Sequence, residues 1–302
     1  MLRILSIMET IKETLRTNRP SLSDASITTY GSIFKSLYDK AFLDKKYKLS
    51  NFSKVNKIIE TLSGMETNTT RTILSALFIL TGKNKYHKLM MEDINKLKEE
   101  TAKQELNEKQ TESWVTQDEV NDKFLQHQKK AEHLMKKTHL TISDLQDIQD
   151  YVILALLGGI YIPPRRSKDY VDFVTKNPSE NSNFLKGTRM FFNSYKTAHT
   201  YGTQVVSVPS PLLRLLKKWI SINPTDYLLF DKNQNQMTNV KLNQRLNKIF
   251  DKKVGVNQLR HTYLTDKYKD KNDDYEDLEK DFKSMGSSVA QRKTYIKTSN
   301  VI

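Results

Sequence analysis

The chain has 302 residues, 37% of them hydrophobic and 28% charged, which is length enough for two ordinary domains with a modest core under a broad solvated surface. Lys and Arg outnumber Asp and Glu by 49 to 35, a net +14 that favours polyanionic partners through the long-range field and counterion release. With no cysteine, disulfides, thiolate metal sites and cysteine nucleophiles are excluded together.

The charge is uneven. Residues 1–100 carry 17 basic and 11 acidic side chains, residues 101–150 carry 7 and 10, and residues 151–302 carry 25 and 14. Two basic lobes around an acidic connector fit a chain that grips nucleic acid. With 38 lysines against 11 arginines, a lysine-rich coding bias is the competing explanation.

Residues 1–19 read as an N-terminal extension, apolar at first but too short for a signal peptide before Glu9 interrupts it. Ser21, Leu22, Ser23 and Asp24 after Pro20 mark a helix start. Ile27, Tyr30, Ile33, Phe34 and Leu37 then recur at three and four. Val55, Ile58, Ile59 and Leu62 repeat the pattern, as do Ile73, Leu74, Leu77, Phe78 and Leu80 before a stop at Gly82. Residues 20–98 therefore read as a helical domain. Lys45, Lys46, Lys48, Lys54 and Lys57 cluster between its first two helices, either as a solvated loop or as phosphate contacts. Residues 99–112 are rich in Lys, Glu and Gln and read as a linker.

The second domain, 113–302, opens with a helix-start pattern at Thr116 and Glu119, followed by apolar positions at Val120, Phe124, Leu134 and 142–157. The run 152–162 is the most apolar of the chain. At about eleven residues it is far short of the roughly 20 that a membrane span needs, so it reads as a buried helix. After Pro163 and Pro164 the pattern changes. Residues 170–174, 184–185 and 189–192 look like short strands, and 204–208 resumes the alternation after a polar turn near Lys196. Helices return over 212–222, 239–250 and 256–268. The fold class expected from these periodicities is mainly α with a small β-sheet.

Common enzyme signals are missing. There is no GxxxxGK[ST] or GxGxxG loop and no GxSxG elbow. No HExxH is present, and His127, His133 and His139 fall six apart, off one helical face. Neither a nucleotide cofactor nor a metal is expected.

What remains is a set of cations and one tyrosine. Arg165, Arg166, Ser167, Lys168, Asp169 and Tyr170 follow the buried helix; Asn257, Gln258, Leu259, Arg260, His261 and Thr262 lie about 90 positions on; Met285, Gly286 and Ser287 precede Tyr295. This order resembles the tyrosine recombinase, or phage-integrase, family. There an R-x-x-[ED]-apolar box, a hairpin lysine, an H-x-x-R-H box and a glycine-histidine box come before the nucleophilic tyrosine. The likeness covers about 150–302 by motif, and the helical first half matches the family's core-binding domain in size and class.

The resemblance implies an α+β catalytic domain. In it Arg166 is the first arginine, because Asp169 and Tyr170 then take the acidic and apolar places; Arg165 is the alternative. Lys196 takes the place of the hairpin lysine, Arg260 that of the second arginine and Tyr295 that of the nucleophile, with His261 auxiliary. Two positions depart from the pattern. Asn257 stands where histidine or lysine is usual, and Ser287 where histidine or tryptophan is. Tyr295 follows Ser287 by eight positions, one fewer than the commoner spacing.

The implied function is site-specific cleavage and rejoining of double-stranded DNA through a 3′-phosphotyrosine, in a viral or mobile-element setting. The expected assembly is a homo-tetramer on paired sites, with no cofactor and no membrane, inside the cell wherever the DNA resides. A type IB-like topoisomerase uses the same residues, and a non-catalytic DNA binder on the same fold is compatible with Asn257 and Ser287.

Overall fold

A computed structural model describes residues 2–42, 47–269 and 275–298. The chain forms two compact units, Met1–Ala102 and Lys103–Ile302.

The first unit is all helical: α1 (Leu2–Asn18), α2 (Asp24–Ala41), α3 (Val55–Leu62), α4 (Thr67–Thr81) and α5 (Asn84–Ala102), with a single 3-10 turn at Leu49–Ser53. Ser23 caps α2 by accepting the Ser26 amide at 3.2 Å, which satisfies one of the orphan N–H groups of the first turn. Gly82 ends α4 in the left-handed region at φ 65. Ile27, Phe34 and Leu37 of α2 are buried with Ile58, Leu62, Leu74 and Leu77. Residues 1–19 are not a mere extension, because α1 contributes Ile11 and Leu15, both fully buried, to this core. An amphipathic helix beside the four that follow it buries its apolar stripe away from water.

The second unit begins with α6 (Glu108–Ser113), α7 (Gln117–Leu134) and α8 (Ile142–Leu157). Thr116 and Glu119 form the reciprocal capping box that their spacing implies. Helix α8 is buried from Leu145 to Leu157 on nearly every side, and the second core assembles around it. After the prolines come α9 (Ser167–Val171) and the strands β1 (Phe173–Val174), β2 (Asn183–Lys186) and β3 (Arg189–Phe192). Then follow α10 (Ala198–Tyr201), β4 (Gln204–Ser207), α11 (Ser210–Ile222), α12 (Asn239–Phe250), α13 (Val256–Tyr268), α14 (Tyr275–Ser284) and α15 (Arg292–Tyr295).

The sheet order is β1-β2-β3-β4, with β1 and β2 parallel and the other pairs antiparallel. Phe184 pairs with Phe191, and Met190 with Val206.

One local expectation is corrected. Tyr170 and Val171 lie in α9, not in a strand, because the chain leaves Pro164 into one helical turn closed by the Asp169 amide on the Arg166 carbonyl. The tight hairpin turn lies at Gly187 and Thr188, where Gly187 has φ 62. Lys196 lies, as expected, in a hairpin connection, the longer one between the antiparallel β3 and β4, which contains α10. Among the described residues no helix is long and apolar enough to cross a membrane.

Candidate active site

An open cleft of about 520 Å³ in the second unit is lined by Arg166, Lys196, Asn257, Arg260, Ser287 and Tyr295. All six residues singled out in sequence as a catalytic set therefore share one cavity, although they come from five separate stretches of chain. Thr197, Tyr201, Ser288 and Gln291 also line it, and among the described residues no carboxylate does. The periodicity gave no signal for these four, which lie on connections and short turns.

Helix α13 supplies the floor. Its first amide, from Val256, is satisfied by the Asn243 side chain at 3.1 Å. Asn257, Arg260 and His261 then fall at i, i+3 and i+4, on one helical face. Arg260 is 2% exposed. Its Nη1 donates to the Tyr295 hydroxyl at 2.5 Å, and its guanidinium carbon lies 4.7 Å from the tyrosine ring centroid. Burial lowers its pKa to about 10, so it stays charged at neutral pH.

His261 is buried and its pKa is pushed down to about 4 by desolvation, so the ring is neutral. Its Nδ1 lies 3.0 Å from the Tyr295 carbonyl, which only accepts, so the proton sits on Nδ1. Nε2 is then the acceptor for the Asn257 amide at 3.1 Å. Both ring nitrogens are committed to holding Asn257 and the Tyr295 backbone, and neither is available as a base for the phenol. Thr265 adds a second donor to the same carbonyl at 3.3 Å.

Tyr295 is 7% exposed, packed edge-on against Phe282 with ring centroids 5.9 Å apart. Helix α14, which carries Phe282, is tied to α13 by Asp281. That carboxylate accepts from Tyr263 at 2.8 Å, Lys267 at 2.6 Å and Tyr268 at 2.8 Å.

The end of α14 is a Schellman turn. Gly286, at φ 64, donates to the Lys283 carbonyl at 3.0 Å and Ser287 to the Phe282 carbonyl at 2.8 Å, which places Ser287 at the cleft wall.

The two candidate first arginines have different fates. Arg166, at the N-cap of α9, is half-buried, lines the cleft and donates to the Gly286 carbonyl. Arg165 is 1% exposed and does not line the cleft. It pairs with Asp169 at 2.8 Å, donates to the Ser284 carbonyl at 2.5 Å and stacks 4.0 Å from the Phe192 ring centroid. Burial pushes the Asp169 carboxyl up, and the adjacent Arg165 opposes that push.

Lys196 is exposed on the β3–β4 connection. The start of that connection is held by Asn183, which is fully buried. Its amide donates to the Asp169 and Ser194 carbonyls at 2.9 and 2.8 Å, and its oxygen accepts from the Asn193 and Ser194 amides at 2.8 Å each. Tyr195 closes the loop by donating to the Gly202 carbonyl at 2.8 Å. A lone asparagine in a strand carried no sequence signal for this role.

In the first unit Lys48, Lys54 and Lys57 are exposed. Lys57 pairs with Glu60 at 3.4 Å, and Lys54 lies 5.6 Å from the Phe42 ring centroid. Lys45 and Lys46 lie outside the described residues.

The arrangement offers two buried or half-buried guanidiniums, an exposed ammonium and a phenolic oxygen around one open cleft. Such a set has the donors to bind a phosphate ester and an oxygen able to attack it.

No family model matches the sequence, and no curated protein matches it. Among solved structures the chain is similar to XerA recombinase, with a TM-score of 0.42 and 13% identity, over 97% of this chain and 94% of that one.

Proposed function

We propose that this protein binds double-stranded DNA and breaks and rejoins its strands through a covalent 3′-phosphotyrosine at Tyr295. The observation that carries this reading is the convergence of Arg166, Lys196, Arg260 and the Tyr295 hydroxyl on one cleft lined by no carboxylate among the described residues, in the sequence order of the tyrosine recombinases.

The chemistry follows from the residue types. Tyr295 Oη attacks the phosphorus, the bond to the 5′-oxygen breaks, and a phosphotyrosine forms. The phenolic proton leaves to solvent, since His261 has no free nitrogen to accept it. Lys196 gives a proton to the departing 5′-oxygen, which would otherwise leave as an alkoxide. Arg166 and Arg260 meet the charge that builds on the non-bridging oxygens, the kind of preorganised stabilisation that supplies the largest catalytic gains. Ser287 and Asn257 add hydrogen bonds but no base. The ester stores the energy of the broken bond, so the reverse attack by a 5′-hydroxyl rejoins a strand without ATP.

Arg166 is the first arginine in this reading, and Arg165 is a structural partner of Asp169. The first unit is a DNA-binding module whose exposed Lys48, Lys54 and Lys57 meet phosphates. Protomers assemble as a tetramer on paired sites, and the protein acts as a recombinase or integrase.

The test is a suicide substrate, nicked so that the cut strand diffuses away. Wild type is expected to give a covalent protein–DNA band and Tyr295→Phe none, with DNA affinity unchanged. Absence of the band from wild type across candidate DNA ends would sink the enzyme reading and leave the DNA-binding one. Relaxation of supercoiled plasmid without joining of paired sites would reassign the activity to a topoisomerase.

A further inference from the structure

Three consecutive carbonyls at the end of α14 each take a different arginine. Ser284 accepts from Arg165, Met285 from Arg260 in a long contact of 3.5 Å, and Gly286 from Arg166. These oxygens lie beyond the last intrahelical bonds of α14, and without the arginines they would be unpaired at the negative end of its dipole. The helix end thus ties down one edge of each guanidinium.

Gly286 is the critical point of this rack. It has φ 64, and a Cβ there would sit 2.9 Å from Arg165 Nη2 and 3.5 Å from Arg166 Nη1. A free arginine tip would swing away from such a contact. Arg165 has no such freedom, being 1% exposed and held by Asp169, the Ser284 carbonyl and the Phe192 ring.

We infer that Gly286 and Arg165 are positioning residues for the DNA-cleaving reaction. They set the placement of the cleft guanidiniums without touching the phosphate, and this rests on the strand-cleavage reading above. Misplacing a clamp group by about 1 Å costs on the order of 10²-fold in rate while leaving charge, and therefore binding, in place.

The experiment compares wild type, Gly286→Ala and Gly82→Ala in single-turnover cleavage of the suicide substrate, with DNA Kd and thermal midpoint measured alongside. Gly82 has the same left-handed backbone, φ 65, and open space around it, so its substitution carries the backbone strain alone. Gly286→Ala is expected to cleave at least tenfold more slowly with Kd within threefold of wild type. Gly82→Ala should lose stability and keep its rate.

If Gly286→Ala does not fold, Arg165→Lys is the second variant. It keeps a cation opposite Asp169 and removes the planar donor to Ser284, and the same split between rate and affinity is expected. Cleavage within twofold of wild type, or equal losses in rate and affinity, would overturn the inference while leaving the parent reading intact. A wild type that forms no adduct overturns both.

Discussion

Arg260 donates to the hydroxyl of Tyr295 at 2.5 Å while its guanidinium lies against the same ring, 4.7 Å from the centroid. One side chain thus holds the phenolic oxygen at the cleft and brings a permanent positive charge to it. The Tyr295 backbone is held separately, by His261 and Thr265 on its carbonyl.

The three arginines are expected to separate in mutants. Arg166→Ala and Arg260→Ala should each lower single-turnover cleavage by about 10² or more, since each removes donors at developing charge. Arg165→Ala should act first on stability, because it strands the fully buried Asp169 without its partner. Breaking such a pair from one side costs about 3–5 kcal/mol. Denaturant titration beside cleavage kinetics checks this. An Arg165→Ala protein of wild-type stability and no activity would make Arg165 the clamp residue.

Lys196 is expected to act on the leaving group. Lys196→Ala should cleave ordinary DNA slowly, by about 10²-fold or more. A substrate with sulfur in place of the bridging 5′-oxygen leaves as a thiolate and needs no proton, so it should restore the rate. Equal impairment on both substrates would show that Lys196 contributes binding charge only.

The neutral His261 makes stability depend on pH. Its pKa is about 4 in the folded protein against 6.5 in an unfolded chain, so the unfolded state binds the extra proton between those values. Its contribution is complete above about pH 6.5 and is lost as pH falls toward 4, on the order of 3 kcal/mol across that window. Asp150, raised to about 6 by burial, has the opposite slope below pH 6. The difference in thermal midpoint between wild type and His261→Gln therefore isolates the histidine. It should shrink as pH drops from 7 to 4.5, and a pH-independent difference would refute the assignment.

DNA affinity is expected to fall steeply with salt, because a chain of net +14 binds phosphates by releasing counterions. Lys48→Ala and Lys54→Ala should each lessen the slope of log affinity against log salt by up to about one if these lysines meet phosphates. Slopes equal to wild type would reduce them to solvated surface.

Much of this protein was legible along the chain, wherever the determining physics is local. Capping at Ser23 and Thr116, the left-handed stop at Gly82 and the helices α12 and α13 follow from short-range periodicity and backbone hydrogen bonding. So does the face shared by Asn257, Arg260 and His261, which spacing alone assigns. The order of arginine, lysine, arginine and tyrosine could be read too, since it is a property of the string.

Tertiary structure decided what each of those groups does. Arg165 and Arg166 are adjacent and chemically identical, and only burial against Phe192 and Asp169 sends one inward and leaves the other at the cleft. His261 reads in sequence only as an auxiliary residue, and desolvation with two partners makes it a neutral strut. The roles of Asn183, Ser284 and Gly286 come from backbone groups brought together across long stretches of sequence, and a carbonyl has no signature in the amino-acid code.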